Sequence, residues 1–379
     1  MNRIYMDHAA TSPVHPEVVE AMIPYFTEKF GNPSSIHSYG RDARKLLDEA
    51  RIVCAKSINA RPNEIIFTSG GTEADNMAVI GAATARQTDG RHVITTAAEH
   101  HAVLHACGEL ENRDFEVTYL NTDEEGRISM DELRASLRED TILVSIMYGN
   151  NETGTVQDIK EIGILLKDHP AYFHSDAVQA YGLADLDVNE LGVDLLSVSG
   201  HKINAPNGTG FLYVKEGVKL SPLAFGGEQE RKRRAGTENT AGIAGFKKAI
   251  ELMVAQKQDR AETYLRFREL LMNELRENEV EFLYNGSFEH VLPHVLNVSF
   301  VGVKTEVLLV SLDIAGIAVS SGSACTAGSM EPSHVLTAMY GTNERTKSAV
   351  RFSFGYGNTE SEIKKAADET AKIVKRLRK

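Results

Sequence analysis

The stretch VDLLSVSGHKINAPNGTGFLYV, residues 193–214, decides how the chain is read. Two runs rich in Leu, Val, Phe and Tyr, DLLSVS (194–199) and FLYV (211–214), flank a loop that carries Gly200, Pro206 and Gly208. Short apolar runs bounded by Gly and Pro predict strands. Upstream, EIIF (64–67), HVIT (92–95), FEVTYL (115–120), TILVSIM (141–147) and AYFHS (171–175) repeat the pattern. Between them, residues 73–86, 102–111, 131–137 and 159–167 space their apolar side chains three and four apart, which predicts helices. Strand and helix in alternation imply an α/β fold, a mostly parallel central sheet with helices on both faces. Ligands in such sheets sit beyond the carboxyl ends of the strands, so the loops after each run hold the candidate site.

Beyond Thr237 a long helical pattern runs toward Asn278, followed by strand-like EVEFLYNG (279–286) and VLNVSF (295–300) and by helical patterns at 305–313 and 360–378. This change of pattern implies a smaller α+β domain. The expected division is a large domain over 14–258 and a small one from 1–13 and 259–379, with the junction inside the long helix. With 379 residues, 42% hydrophobic and 25% charged, the chain can bury a sizeable core. Lys+Arg 41 against Asp+Glu 53 leaves a net charge of −12, which argues against direct nucleic-acid binding through bulk positive charge. The three cysteines, Cys54, Cys107 and Cys325, are odd in number and lack C-x-x-C spacing, so neither a disulfide framework nor a zinc cluster is expected. No apolar run reaches the length of a membrane span and the opening MNRIYMDHAAT has no apolar core, so a cytoplasmic protein that makes no membrane contact is expected.

Three loops carry chemistry. In TSGGTEADN (68–76), Gly70, Gly71 and Thr72 precede a helical pattern, an arrangement whose backbone N–H groups cradle phosphate. The same residues also read as a Gly-rich turn capped by Thr72. In AYFHSDAVQA (171–180), Asp176 follows an apolar strand, where its carboxylate needs a cation such as a pyridinium nitrogen, or else caps a helix. In SGHK, Ser199, His201 and Lys202 stand at the next strand end. A partly desolvated lysine there has a lowered pKa and can form a Schiff base with an aldehyde, while an exposed loop lysine does neither.

Taken together, a phosphate loop, a strand-end Asp and a Ser-x-His-Lys resemble the fold type I pyridoxal phosphate enzymes, and within them the NifS-like cysteine desulfurases. The likeness runs through DHAATSPVHPEV (7–18), FGNPSSIHSYG (30–40), SGGTEADN, AAEHHAVL (97–104), NNETGTVQDI (150–159), HSDAVQA, SGHK, RAGTEN (234–239), SSGSACTAGSMEPSHVL (320–336) and VRFSFG (350–355). The resemblance implies roles residue by residue. Lys202 is the Schiff-base lysine and proton carrier, and Asp176 keeps the pyridine nitrogen protonated. His100 stacks on the ring and helps proton transfer, and Gln179 contacts the phenolate oxygen. Gly71, Thr72, Ser199 and His201 clamp the phosphate, with Thr237 reaching it from the second copy of a homodimer. Asn151 contacts the cofactor and, with Arg351, holds the substrate carboxylate.

Cys325 lies among small polar residues, unlike Cys54 and Cys107, which fall on helical faces and are expected in the core. By resemblance Cys325 belongs to the branch with the extended cysteine loop. It attacks the sulfur of bound L-cysteine, leaves as a persulfide with release of alanine, and passes sulfur to an acceptor protein for iron–sulfur assembly or tRNA thiolation. No resident metal is implied beyond a transient iron–sulfur contact at Cys325. Selenocysteine lyase or cysteine sulfinate desulfinase is the neighbouring alternative, and a sulfur-relay binding module is an alternative of another class. The basic run in ERKRRAGT (230–237) reads either as a steering patch for an anionic substrate or partner, or as a solvated loop with Arg234 braced near the phosphate.

Overall fold

The computed structural model describes residues 3–322 and 332–379. Its strands are β1 (Ile4–Tyr5), β2 (Ile65–Thr68), β3 (His92–Thr96), β4 (Glu116–Leu120), β5 (Thr141–Ser145), β6 (Tyr172–Asp176), β7 (Leu195–Ser199), β8 (Gly210–Val214), β9 (Leu283–Tyr284), β10 (Val295–Ser299), β11 (Ile317–Ala318) and β12 (Ala349–Ser353). Seven of them form one sheet in the order β2-β8-β7-β6-β5-β3-β4. The pairs β3–β4, β3–β5, β5–β6 and β6–β7 are parallel, as the alternating pattern predicts. β8 runs against both its neighbours. The reason is local: residues 200–209 hold only a short turn, too few residues for the crossover helix that a parallel partner requires. β5, β7 and β8 are buried along their whole length, which explains why they read as continuous apolar runs.

A second sheet, β12-β10-β9, is antiparallel, and β1 pairs parallel with β11. The helix Thr240–Glu277 serves two cores. Ile243, Phe246, Ile250 and Met253 pack into the core under the large sheet, whereas Tyr264, Phe267, Leu271 and Leu275 pack with Leu296, Val298, Val350 and Phe352 of the second sheet. Among the described residues no helix is long and apolar enough to cross a membrane.

One local expectation needs correction. The helix after β2 begins at Gly71 rather than at residue 73, and its N-cap is Gly70, with no side-chain cap. Thr72 is exposed inside the first turn and does not cap it. Gly70 has φ +150, a conformation that side-chain-bearing residues rarely adopt, and a Cβ on Gly71 would stand 2.7 Å from Val178 Cγ2. These two positions let backbone, rather than side chain, line the end of β2. The helix then passes through a wide turn at Met77–Gly81 before Ala82–Ala85, so the single predicted helix is three joined segments.

Candidate active site

The carboxyl ends of the parallel strands bring together residues far apart in sequence. β6 ends on Asp176 and β7 on Ser199, from which the turn Gly200–Lys202 springs. His100 follows β3 and caps the helix His101–Glu111, its Nδ1 accepting the Ala102 N–H at 3.1 Å. That bond leaves Nε2 to carry the imidazole proton. Burial, then the charge of Lys202, lower the pKa of His100 to about 4, so the ring is neutral at pH 7. His201 is likewise lowered to about 4, first by burial, and its Nδ1 lies 3.1 Å from Thr11 Oγ1.

Lys202 is not an exposed loop lysine. Its Nζ donates to the carbonyl oxygens of Ala9 at 2.5 Å and Ala10 at 2.7 Å, which places the N-terminal segment against the site. Gln179 donates from Nε2 to the same Ala9 oxygen at 3.0 Å. The two readings of Asp176 prove compatible, since Oδ1 accepts the Val178 N–H at 2.9 Å while the carboxyl stays 4% exposed at the strand end. Burial raises its pKa to about 6, against the lowering pull of the Val178 N–H and of Lys202.

Asp75, His100 and Asp176 each offer an atom within 4.8 Å of the other two. Burial pushes Asp75 well up, and Asp176 adds to it, so the two carboxyls do not both ionise unaided. A neutral imidazole and one carboxylate suit a flat ring with a protonated nitrogen. The Gly70–Gly71 helix start, which has no side-chain cap, and Ser199 beside it offer backbone N–H groups and a hydroxyl to an anion. This donor set is chemically suited to pyridoxal phosphate, and it would be Lys202, Asp176, His100 and Gln179 that meet the ring and Gly71, Thr72, Ser199 and His201 that meet the phosphate.

At the other edge, Arg351 on β12 is 2% exposed and lies in the second core's sheet. Its Nη1 donates to the Asn151 carbonyl and its Nη2 to Asp7 Oδ1, both at 2.8 Å, while Nε has no partner among the described residues. Arg351 and Asn151 are thus in direct contact, and Asp7 is a partner that the sequence motif DHAAT contained without revealing its role. Thr237 is exposed on the surface of the single chain. Cys325 lies outside the described residues. Cys54 and Cys107 are fully buried, and burial pushes the Cys107 thiol up to about 12, so both are core residues. In the basic run, Arg234 pairs with Glu73 at 2.8 Å and Lys232 with Glu228 at 3.0 Å, so Arg234 braces the helix that follows the glycine loop.

Glu99 went unnoticed in the sequence because a carboxylate before a His pair looks like a loop residue. It is fully buried, with Oε1 accepting the Met147 N–H at 2.8 Å and the Thr96 hydroxyl at 3.1 Å, and Oε2 unpartnered among the described residues. Burial raises its pKa from 4.5 to about 8. A raised carboxyl is held protonated in the folded chain. The stability it contributes is therefore full below pH 4.5 and is lost as pH climbs through about 8. Glu99→Gln, a neutral isostere, is expected to flatten that decline and to gain on the order of 3–5 kcal/mol above pH 8. Urea midpoints measured at several pH values test this, and parallel pH slopes for the two proteins would refute it.

The chain is similar to known proteins over nearly its whole length. The family described as Aminotransferase class-V matches residues 4–366. Among curated relatives, a "Putative cysteine desulfurase IscS 1" of Bacillus subtilis (strain 168) is 60% identical over 378 residues, covering 100% of both chains. A "Cysteine desulfurase IscS" of Methanosarcina thermophila is 49% identical, over 99% of this chain and 93% of its own length. Among solved structures, a NifS-like protein superposes with TM-score 0.93 at 35% identity, covering 99% of this chain and 100% of the other. "SspA in complex with cysteine" superposes with TM-score 0.83 at 36% identity, over 93% and 98% of the two chains.

Proposed function

Because the chain belongs to the Aminotransferase class-V family and is a cysteine desulfurase of the IscS/NifS kind, we propose that it converts L-cysteine to L-alanine with the residues named above. Enzymes of this family depend on pyridoxal phosphate. That cofactor supplies an electron-withdrawing ring able to draw charge from the substrate's Cα–H and Cβ–S bonds. The observation that supports the residue assignment is the placement of Asp176 on the last residue of β6 and of Lys202 in the turn after the adjacent parallel strand β7, with ligand atoms of His100 and Asp176 within 4.8 Å of each other.

In this reading Asp176 holds a proton on the ring nitrogen by its negative charge. Lys202 Nζ would hold the cofactor and would carry the Cα proton. His100, neutral and with its proton on Nε2, stands ready as a donor. Arg351 offers the substrate α-carboxylate a planar fork in a dry setting, steadied by Asp7 and by the Asn151 carbonyl. The Cys325 thiolate would attack the substrate sulfur, so that a Cys325 S–S bond forms as the Cβ–S bond breaks; the bond's electron pair stays with the substrate carbon, which takes up a proton at Cβ, and return of the Cα proton by Lys202 gives alanine. The exposed Thr237 belongs to a phosphate site completed by a second copy, making the working unit a homodimer. An iron–sulfur scaffold or a tRNA-thiolating enzyme receives the sulfur.

Purified protein carrying cofactor, given L-cysteine and a thiol, is expected to release alanine and sulfide in equal amounts. In the absence of thiol, mass spectrometry is expected to find one extra sulfur atom on the Cys325 peptide. Cysteine consumption without alanine would sink this reading.

A further inference from the structure

We propose that His294 is a positioning residue that fixes which way round the Gln179 carboxamide sits, so that an N–H rather than a carbonyl faces the cofactor's phenolate oxygen. The inference rests on Gln179 being the residue that meets that oxygen.

His294 immediately precedes β10 and belongs to the half of the chain that forms the second core, whereas Gln179 follows β6 of the large sheet. The two side chains are 7% and 6% exposed. His294 Nε2 and Gln179 Oε1 lie 3.0 Å apart, and Gln179 Nε2 lies 3.0 Å from the Ala9 carbonyl oxygen. The protonation pattern follows from the partners. A backbone carbonyl only accepts, so the amide nitrogen must be the end facing Ala9. The amide oxygen then faces His294 and also only accepts, so the imidazole proton must sit on Nε2. One N–H of the Gln179 nitrogen is used on Ala9, and the second is left to donate elsewhere.

Ala9 alone would orient the amide weakly. Its carbonyl oxygen also accepts from Lys202 Nζ, so Gln179 shares that acceptor with a competing donor. His294 reinforces the choice, because flipping the amide would set two oxygens together at Ala9 and would drive the imidazole proton from Nε2 to the buried Nδ1, which has no partner among the described residues. The imidazole is well suited to the task. Burial, with Lys202, His8 and Arg351 facing it, lowers its pKa to about 3, so it remains a neutral donor across the working pH range. Nδ1 has no partner among the described residues, which leaves Gln179 as the side chain that His294 serves. Because His294 and Ala9 both come from segments packed with the second core, the seating of that core on the large sheet sets the amide's direction.

The test is a spectrophotometric pH titration of the bound cofactor's visible absorption in the holoenzyme, for wild type, His294→Ala, His294→Asn, Gln179→Leu and the Gln179→Leu/His294→Ala double variant. A phenolate oxygen deprived of a donor holds the proton it shares with Lys202 Nζ more firmly. Both single variants, His294→Ala and Gln179→Leu, are therefore expected to raise the midpoint by about one pH unit. His294→Asn, which keeps an amide donor, is expected to recover part of the shift, and the double variant is expected to add nothing to Gln179→Leu. A shift in Gln179→Leu without one in His294→Ala, or additive shifts in the double variant, overturns the role of His294. No shift in Gln179→Leu overturns instead the reading of Gln179 on which it rests. Should His294→Ala not retain cofactor, nitrogen NMR of wild type and Gln179→Leu with labelled histidine decides. A hydrogen-bonded proton on His294 Nε2 that is lost in Gln179→Leu supports the inference, and its absence from wild type refutes it.

Discussion

Replacing Lys202 by alanine is expected to lower alanine formation by about 10⁴-fold or more, while leaving the fold intact. The size of the effect follows from two duties falling on one atom. In the proposed reading Nζ is both the nucleophile that would anchor the cofactor and the base that would move the Cα proton, and a positioned proton carrier alone contributes roughly 10²–10⁴-fold. The fold should tolerate the change because the bonds that Nζ donates to Ala9 and Ala10 go to backbone carbonyls of the N-terminal segment. Lys202→Arg keeps a cation for those carbonyls but cannot form the linkage, so it should be nearly as inactive and melt close to wild type. Alanine release, cofactor retention after dialysis and thermal melts measure the three parts. A Lys202→Ala protein within tenfold of wild type would end the assignment.

Cys325→Ser is expected to abolish persulfide formation and to cut cysteine-dependent alanine release by more than about 10³-fold, with cofactor binding unchanged. A thiol is a few per cent thiolate at neutral pH and intrinsically a strong nucleophile, whereas a serine hydroxyl offers almost no anion and no way to take up sulfur as a persulfide. Cys54 cannot stand in, being buried with its thiol pushed far up by desolvation, and Cys107 is held up at about 12 for the same reason. The variant also separates the neighbouring chemistry. A selenocysteine lyase or sulfinate desulfinase makes a lesser demand on the thiol, so strong activity of C325S toward those substrates would move the chain to that class.

The inner strands of the large sheet were legible because they are buried on both faces and keep β-branched and aromatic residues in unbroken runs, while the edge strand β4, with only Leu120 buried, was legible from its Val, Thr and Tyr. The wide turn at Met77–Gly81 was not, since an extra backbone residue in a helix leaves no mark on residue type. The site was legible where its parts are local. Asp176, Ser199 and Lys202 stand within a few residues of strand ends, and the glycine loop announces itself, although Thr72 was expected to cap the turn that Gly70 in fact begins. What sequence reading could not supply are pairings across long separations. Asp7 meets Arg351, and His294 meets Gln179, through contacts that only the assembled cores create. Buried carboxyls such as Glu99 and Asp75 are equally silent in the sequence, because an acidic residue in a loop or first helical turn is ordinary until its surroundings are known.

The helix Thr240–Glu277 has a consequence for inheritance. No clean seam separates the two cores, since a cut between Met253 and Tyr264 would sever a continuous backbone ladder and strip apolar side chains from both. A foreign second half could be grafted only in helical phase, because each inserted residue would rotate everything after it by about 100°. That rotation would carry His294 away from Gln179 and Arg351 away from Asn151 together. The chain is therefore a poor partner for shuffling: variation in its second half must come by substitution on the existing frame.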